Sequence, residues 1–165
     1  MEIKIIKGNM NHINDCEDAL VNSELGKRYF QNEGSGKKTL EEGITKGEIY
    51  VAIDNNNSCK GFIWIIQDGA FHSFPYIHMI SVKSESRGHG IGKILLNFAE
   101  GFCSENYQKL FLVVGDFNPD AKRLYERIGY CQVGEMPSLY REGITECLMM
   151  KSIEQQQIIF DEINK

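Results

Sequence analysis

Charged and apolar residues alternate at the start of the chain, where Ile3 and Ile5 are interleaved with Glu2, Lys4 and Lys7, and this period of two predicts a strand over residues 2–7. The period then lengthens. Ile13, Cys16, Ala19 and Leu20 fall on one face of a helix that Asn9 or Asn11 can cap and that is expected to end near Gly26. Residues 27–38 are polar and contain Gly34-Ser35-Gly36, which predicts a mobile loop, with Tyr29 and Phe30 in it, before a short helix over residues 39–45. Two apolar runs over 48–54 and 60–67 flank Asn55-Asn56-Asn57-Ser58, a composition suited to a turn because Asn tolerates left-handed backbone angles. They are expected to pair as an antiparallel hairpin.

After a link over 68–74 come a strand over 75–83, a helix over 90–105 and a strand over 109–115. Such a strand-helix-strand unit makes its two strands parallel. The next helix, over 118–128, is marked at both ends: Asn118 is an N-cap, Pro119 suits the first helical position, and Gly129 suits the residue after the last turn. Strands over 130–134 and 145–151 follow. The pattern predicts an α/β (α+β mixed sheet) fold in one domain over residues 1–151, with a C-terminal extension over 152–165. That extension is expected to be helical although Ile158, Ile159, Phe160 and Ile163 form a poor stripe, and a second copy of the chain could pack on it as a homodimer.

Composition narrows the class. At 165 residues, 42% hydrophobic and 25% charged, the chain can bury one core without disulfides or a metal. The net charge of −5 and scattered lysines and arginines give no basic stripe, so nucleic acid is not an expected partner. Cys16, Cys59, Cys103, Cys131 and Cys147 are odd in number and lie mostly in apolar runs, the pattern of reduced, packed thiols. Four histidines without metal-ligand spacing predict no metal site. No apolar run reaches the roughly 20 residues of a membrane span, and a cytoplasmic location without membrane partners is the expectation.

Candidate chemistry concentrates between the strand over 75–83 and the following helix, in Arg87-Gly88-His89-Gly90-Ile91-Gly92-Lys93. The helix is amphipathic through Ile91, Leu95, Phe98 and Phe102, so burial anchors its N-terminus. Unpaired N–H groups and the positive dipole end there suit an anion, and the glycines let a diphosphate approach the main chain. A Walker A loop does not fit, because Arg87 stands where its first glycine belongs and Ile94 follows Lys93. A dinucleotide fingerprint would need glycine at Lys93.

The same residues resemble the GNAT acetyltransferases, whose loop reads Arg/Gln-x-x-Gly-x-Gly/Ala and is matched by Arg87, Gly90 and Gly92. A second signature of that family, Asn-x-x-Ala-x-x-Leu-Tyr-Glu-x-x-Gly-Phe/Tyr, is similar to Asn118, Ala121, Leu124, Tyr125, Glu126, Gly129 and Tyr130. The resemblance runs from about Gly47 to Lys151. It implies a sheet of about seven strands with helices on both faces and two splayed parallel strands, between which the pantetheine arm of acetyl-CoA inserts. It further implies that the main chain of Ile80, Ser81 and Val82 pairs with pantetheine, that amides of Arg87, Gly88, His89, Gly90, Ile91 and Gly92 hold the diphosphate beside Lys93, and that Asn118 and Ala121 border the arm. Tyr125 would donate a proton to the departing thiolate.

The implied reaction is transfer of acetyl to a primary amine, on a small molecule or a protein, by direct attack in a ternary complex. An alkylammonium with a pKa of about 10.4 must first lose a proton. His78, on the strand before the loop with the parity of Tyr76, Ile80 and Val82, is the candidate base. Recognition of the acceptor is expected from Tyr29 and Phe30, from Phe71-His72-Ser73-Phe74, and from Tyr140-Arg141-Glu142, whereas Glu142 and Glu146 read first as solvated carboxylates. The competing readings are a coenzyme A-binding sensor without turnover and a nucleotide-dependent oxidoreductase.

Overall fold

A computed structural model of the protein describes residues 2–154. The opening alternation forms a short strand, β1 (Lys4–Lys7), antiparallel to β2 (Ile49–Ile53), which pairs in turn with β3 (Cys59–Ala70). Asp54 shapes the β2–β3 turn: its carboxylate accepts the N–H groups of Asn56 and Ser58 at 2.9 Å each, and Asn57 takes a positive φ of 59°. β3 continues past its expected end and returns as β4 (Phe74–Val82) through a tight turn at Phe71 and His72. Gln67, Asp68 and Gly69 stand exposed at this end of the sheet, so the apolar pattern that marks a strand is missing there.

The seven strands form one sheet in the order β1-β2-β3-β4-β5-β7-β6. β4 and β5 (Lys109–Gly115) are parallel, as the helix between them requires; the other neighbours are antiparallel, including β7 (Thr145–Ser152) against both β5 and β6 (Cys131–Pro137). One face carries α1 (Ile13–Val21), α2 (Glu24–Tyr29) and α3 (Ser35–Thr45), and the other carries α4 (Ile91–Ser104) and α5 (Pro119–Arg127). Each face has its own core. Leu20, Leu40, Phe62, Trp64 and Met79 belong to the first, and Ile63, Ile77, Leu95, Leu96 and Leu112 to the second. Burying each such side chain contributes about 1.5–3 kcal/mol.

Two expectations for the first helical region need correction. The helix opened at Ile13 ends at Val21 rather than near Gly26, and most of the expected loop is ordered as α2 and the first turn of α3. Ser23 caps α2 by accepting the N–H of Gly26 at 3.0 Å, and Gly34, at φ 77°, begins α3. At the other end, β7 reaches Ser152, and Ile153 is buried with its N–H bonded to the Gln108 carbonyl at 2.8 Å. Residues 152 and 153 thus belong to the domain. Residues 155–165, for which a helix and a subunit contact are expected, lie outside the described chain.

One irregularity sets the geometry of the centre. Trp64 and Ile65 of β3 pair with Met79 and Ile77 of β4, so His78 is an extra residue without a partner, a β-bulge. Ile77 packs in the core under α4 and α5, whereas Met79 packs in the core under α1 and α3. Simple parity places His78 on the side of Ile80 and Val82; the bulge turns it to the opposite face, where its ring meets the Trp64 indole edge-on with centroids 4.7 Å apart.

Candidate active site

β4 and β5 pair only at Tyr76–Phe111 and Ile77–Leu112. Beyond these two rungs the strands separate, and a cavity of about 290 Å³ opens between residues 77–80 of β4 and 112–115 of β5, with Asn118 and Tyr125 in its lining. β5 remains paired to β7 along its length, so the opening does not dissolve the sheet.

At the C-terminal end of β4, Gly88 and Gly90 adopt φ of 78° and 79°, and a Cβ at either would meet nothing within 4 Å. The glycines are there for the backbone angle. Among the described residues, the main-chain N–H groups of Gly88, His89, Gly90, Ile91, Gly92 and Lys93 make no hydrogen bond, whereas Ile94 N already bonds Gly90 O at 3.0 Å. Ile91, Leu95, Leu96 and Ala99 lock the helix behind them into the core. Such a row of free donors at a dipole end fits the diphosphate of a coenzyme. Arg87 fastens this loop to β4 and to the end of α1, because its guanidinium donates to the carbonyls of Val82 at 3.1 Å and Asn22 at 2.9 Å.

Asn118 caps α5, its side-chain oxygen accepting the Ala121 N–H at 3.4 Å, and Pro119 follows at the first helical position. That start directs Tyr125 inward, where it is 8% exposed and its phenol pKa is pushed up to about 12 by burial. It stays protonated at neutral pH. His78 also lines the cavity, and burial holds its pKa below the ordinary histidine value against the opposing pull of Glu48 and Glu42. A histidine lowered in this way is predominantly neutral at pH 7.

Part of the described lining is aromatic and includes one carboxylate. Glu146, expected at the surface, is 2% exposed and accepts a hydrogen bond from the Tyr29 hydroxyl. The Tyr29 ring packs edge-on against Phe117 and Tyr140, with centroids 5.8 Å away in both cases. Tyr76 completes this part of the lining, its phenol pKa raised by burial and by Tyr140.

Of the sequence-predicted residues, the structure brings His78, Ile80, Asn118 and Tyr125 to the cavity, together with Tyr29, Phe30 and Tyr140. Ser81 turns its side chain away, donating to the Ala19 carbonyl at 2.6 Å, while Val82 and Ala121 pack against the core beneath α4 and α5. Phe71 meets Phe111 edge-on and Phe74 packs on it at a tilt instead of entering the cavity, and Glu142 is exposed. Tyr76, Phe117 and Leu25 were not signalled by the sequence, because each reads as an ordinary apolar position until the strands part. No cluster of three or more metal-ligating side chains occurs among the described residues.

An open parallel pair, a free row of amides at the following helix and a buried tyrosine on the next helix are the features that the GNAT resemblance implies. The acetyltransferase (GNAT) family profile matches residues 15–130, and the chain belongs to that family. A Bacillus subtilis (strain 168) protein, described as a candidate ribosomal protein bS18-alanine N-acetyltransferase, is 30% identical over 144 residues, covering 86% of this chain and 87% of its own. A crystal structure from Pyrococcus horikoshii OT3 is similar at a TM-score of 0.74 and 26% identity, over 92% of this chain and 98% of its own. A GNAT-family acetyltransferase structure from Bacillus cereus ATCC 10987 shares the fold at a TM-score of 0.73 and 16% identity, over 93% and 99% of the two chains.

Proposed function

We propose that this protein transfers the acetyl group of acetyl-CoA to a primary amine by direct attack in a ternary complex. The observation that carries the reading is the cavity at the splayed strands. It is lined by both His78 and Tyr125, one group able to take a proton and one able to give it. The amide row from Gly88 to Lys93 holds the diphosphate of the co-substrate, and the parted edges of β4 and β5 flank the arm that carries the thioester.

His78, neutral because it is buried, accepts one proton from the acceptor ammonium. The freed amine attacks the thioester carbonyl, whose oxygen gathers negative charge that a main-chain N–H of β4 can stabilise. As the C–S bond breaks, Tyr125 gives its proton to the sulfur, and the second proton of the nitrogen restores the phenol. The products are an amide, coenzyme A with a free thiol, and one proton released to solvent.

Titration calorimetry with acetyl-CoA, followed by thiol release in the presence of an amine panel, tests the reading. Binding heat and thiol release that depends on amine are expected. Absence of heat with both acetylated and free coenzyme overturns it.

A further inference from the structure

We infer that the acceptor is a primary ammonium carrying a single positive charge on an apolar or aromatic body, with no carboxylate beside it, and that Glu146 selects it. This rests on the acetyl-transfer reading above. Among the described residues lining the cavity, Glu146 is the one carboxylate, and none is a lysine or arginine. Its position on β7 opposite Gly115 of β5 puts it beside the parted strands, and at 2% exposure it is almost wholly withdrawn from water.

A buried carboxylate is costly unless it is paired and fully hydrogen-bonded. The Tyr29 hydroxyl supplies Glu146 with one donor and no charge. A carboxylate offers about four acceptor positions. A primary ammonium provides the missing charge and three further donors. The walls around it define what the ammonium is attached to: Tyr29, Tyr76, Phe117 and Tyr140 present ring surface suited to an apolar body and, through ring faces, to the cation itself.

The same inventory rejects other amines. Arg141 and Arg28 place their guanidiniums over the Tyr29 and Phe117 rings at 5.7 and 5.1 Å, and neither lines the cavity, so the carboxylate of a free amino acid finds no cationic partner in the described lining. A polyamine would bring second and third charges to a site with one carboxylate. The selected chemistry occurs in two sources, an arylalkylamine and the N-terminus of a peptide with an apolar first residue.

The test measures thiol release at saturating acetyl-CoA with phenethylamine, phenylalaninamide, the amidated tripeptide Phe-Gly-Gly, free phenylalanine and spermidine. Phenethylamine or the two amides are expected to exceed phenylalanine and spermidine at least tenfold in kcat/KM, and the ratio of the tripeptide to phenethylamine tells the two sources apart. Glu146→Gln should raise KM for the preferred amine at least tenfold while calorimetric acetyl-CoA affinity is retained. Should that variant fail to bind acetyl-CoA, the preference of the wild-type protein decides alone. Equal or better use of spermidine or phenylalanine, refusal of all three favoured amines, or an unchanged KM in Glu146→Gln overturns the acceptor assignment. Loss of acetyl-CoA binding by the wild-type protein is a different result, since it removes the acetyltransferase reading itself.

Discussion

Burial acts on Tyr125 and His78 in opposite chemical directions, and each direction suits its proposed role. The phenol, pushed up to about 12, keeps a proton to give; the imidazole, pushed down, stays free to take one. Tyr125→Phe is expected to lower kcat by about 10²-fold, the low end of general acid catalysis, with acetyl-CoA affinity unchanged in calorimetry. An unchanged kcat would leave the tyrosine as packing alone. For His78 the sign follows from desolvation: burial disfavours imidazolium, so kcat at saturating substrates should rise with pH through an inflection below about 6.5, the ordinary histidine value. His78→Gln should abolish that inflection. Tyr125 was legible in the sequence because its position follows from a capped helix. Glu146 was not, since a glutamate in a strand beside Thr145 reads as solvent-facing until the third dimension covers it.

At the scale of elements, the proposed acceptor site depends on α2, a six-residue helix that supplies Tyr29. Gly26 lets it sit against the end of α1: a Cβ there would stand 1.9 Å from the Leu20 carbonyl oxygen, a backbone atom that cannot swing aside. Gly26→Ala is therefore expected to destabilise the fold by about 1–3 kcal/mol, as overpacking does, and to raise the acceptor KM more than that of acetyl-CoA. Urea unfolding and steady-state kinetics check the two parts. The sequence hid α2 because it is short and shows few apolar residues, and because Gly34-Ser35-Gly36 resembles a linker. The glycine-rich loop at 88–92 was readable for the opposite reason: its donors belong to the local backbone, and the strongly apolar face of α4 announces where they begin.

Across the whole molecule, two cores share one sheet that is interrupted between β4 and β5. A ligand that fills the gap joins the halves and binds the folded state alone. Acetyl-CoA at a hundred times its Kd is expected to add about 2.7 kcal/mol of stability, a rise in Tm of roughly 5–10 °C in scanning calorimetry. A flat response would argue against binding at the seam. The hairpin of β2 and β3 and the parallel pair were legible from period and connection, while the order of the last two strands and the distance over which the parallel pair stays together depend on tertiary packing. The extra residue at His78 has a wider effect, because it shifts the phase of the central strand. Were the strand regular, with His78 drawn into the ladder opposite Ile65, Ile77 and Tyr76 would exchange faces of the sheet. A single backbone unit thus sets which half of the alternating pattern faces the chemistry.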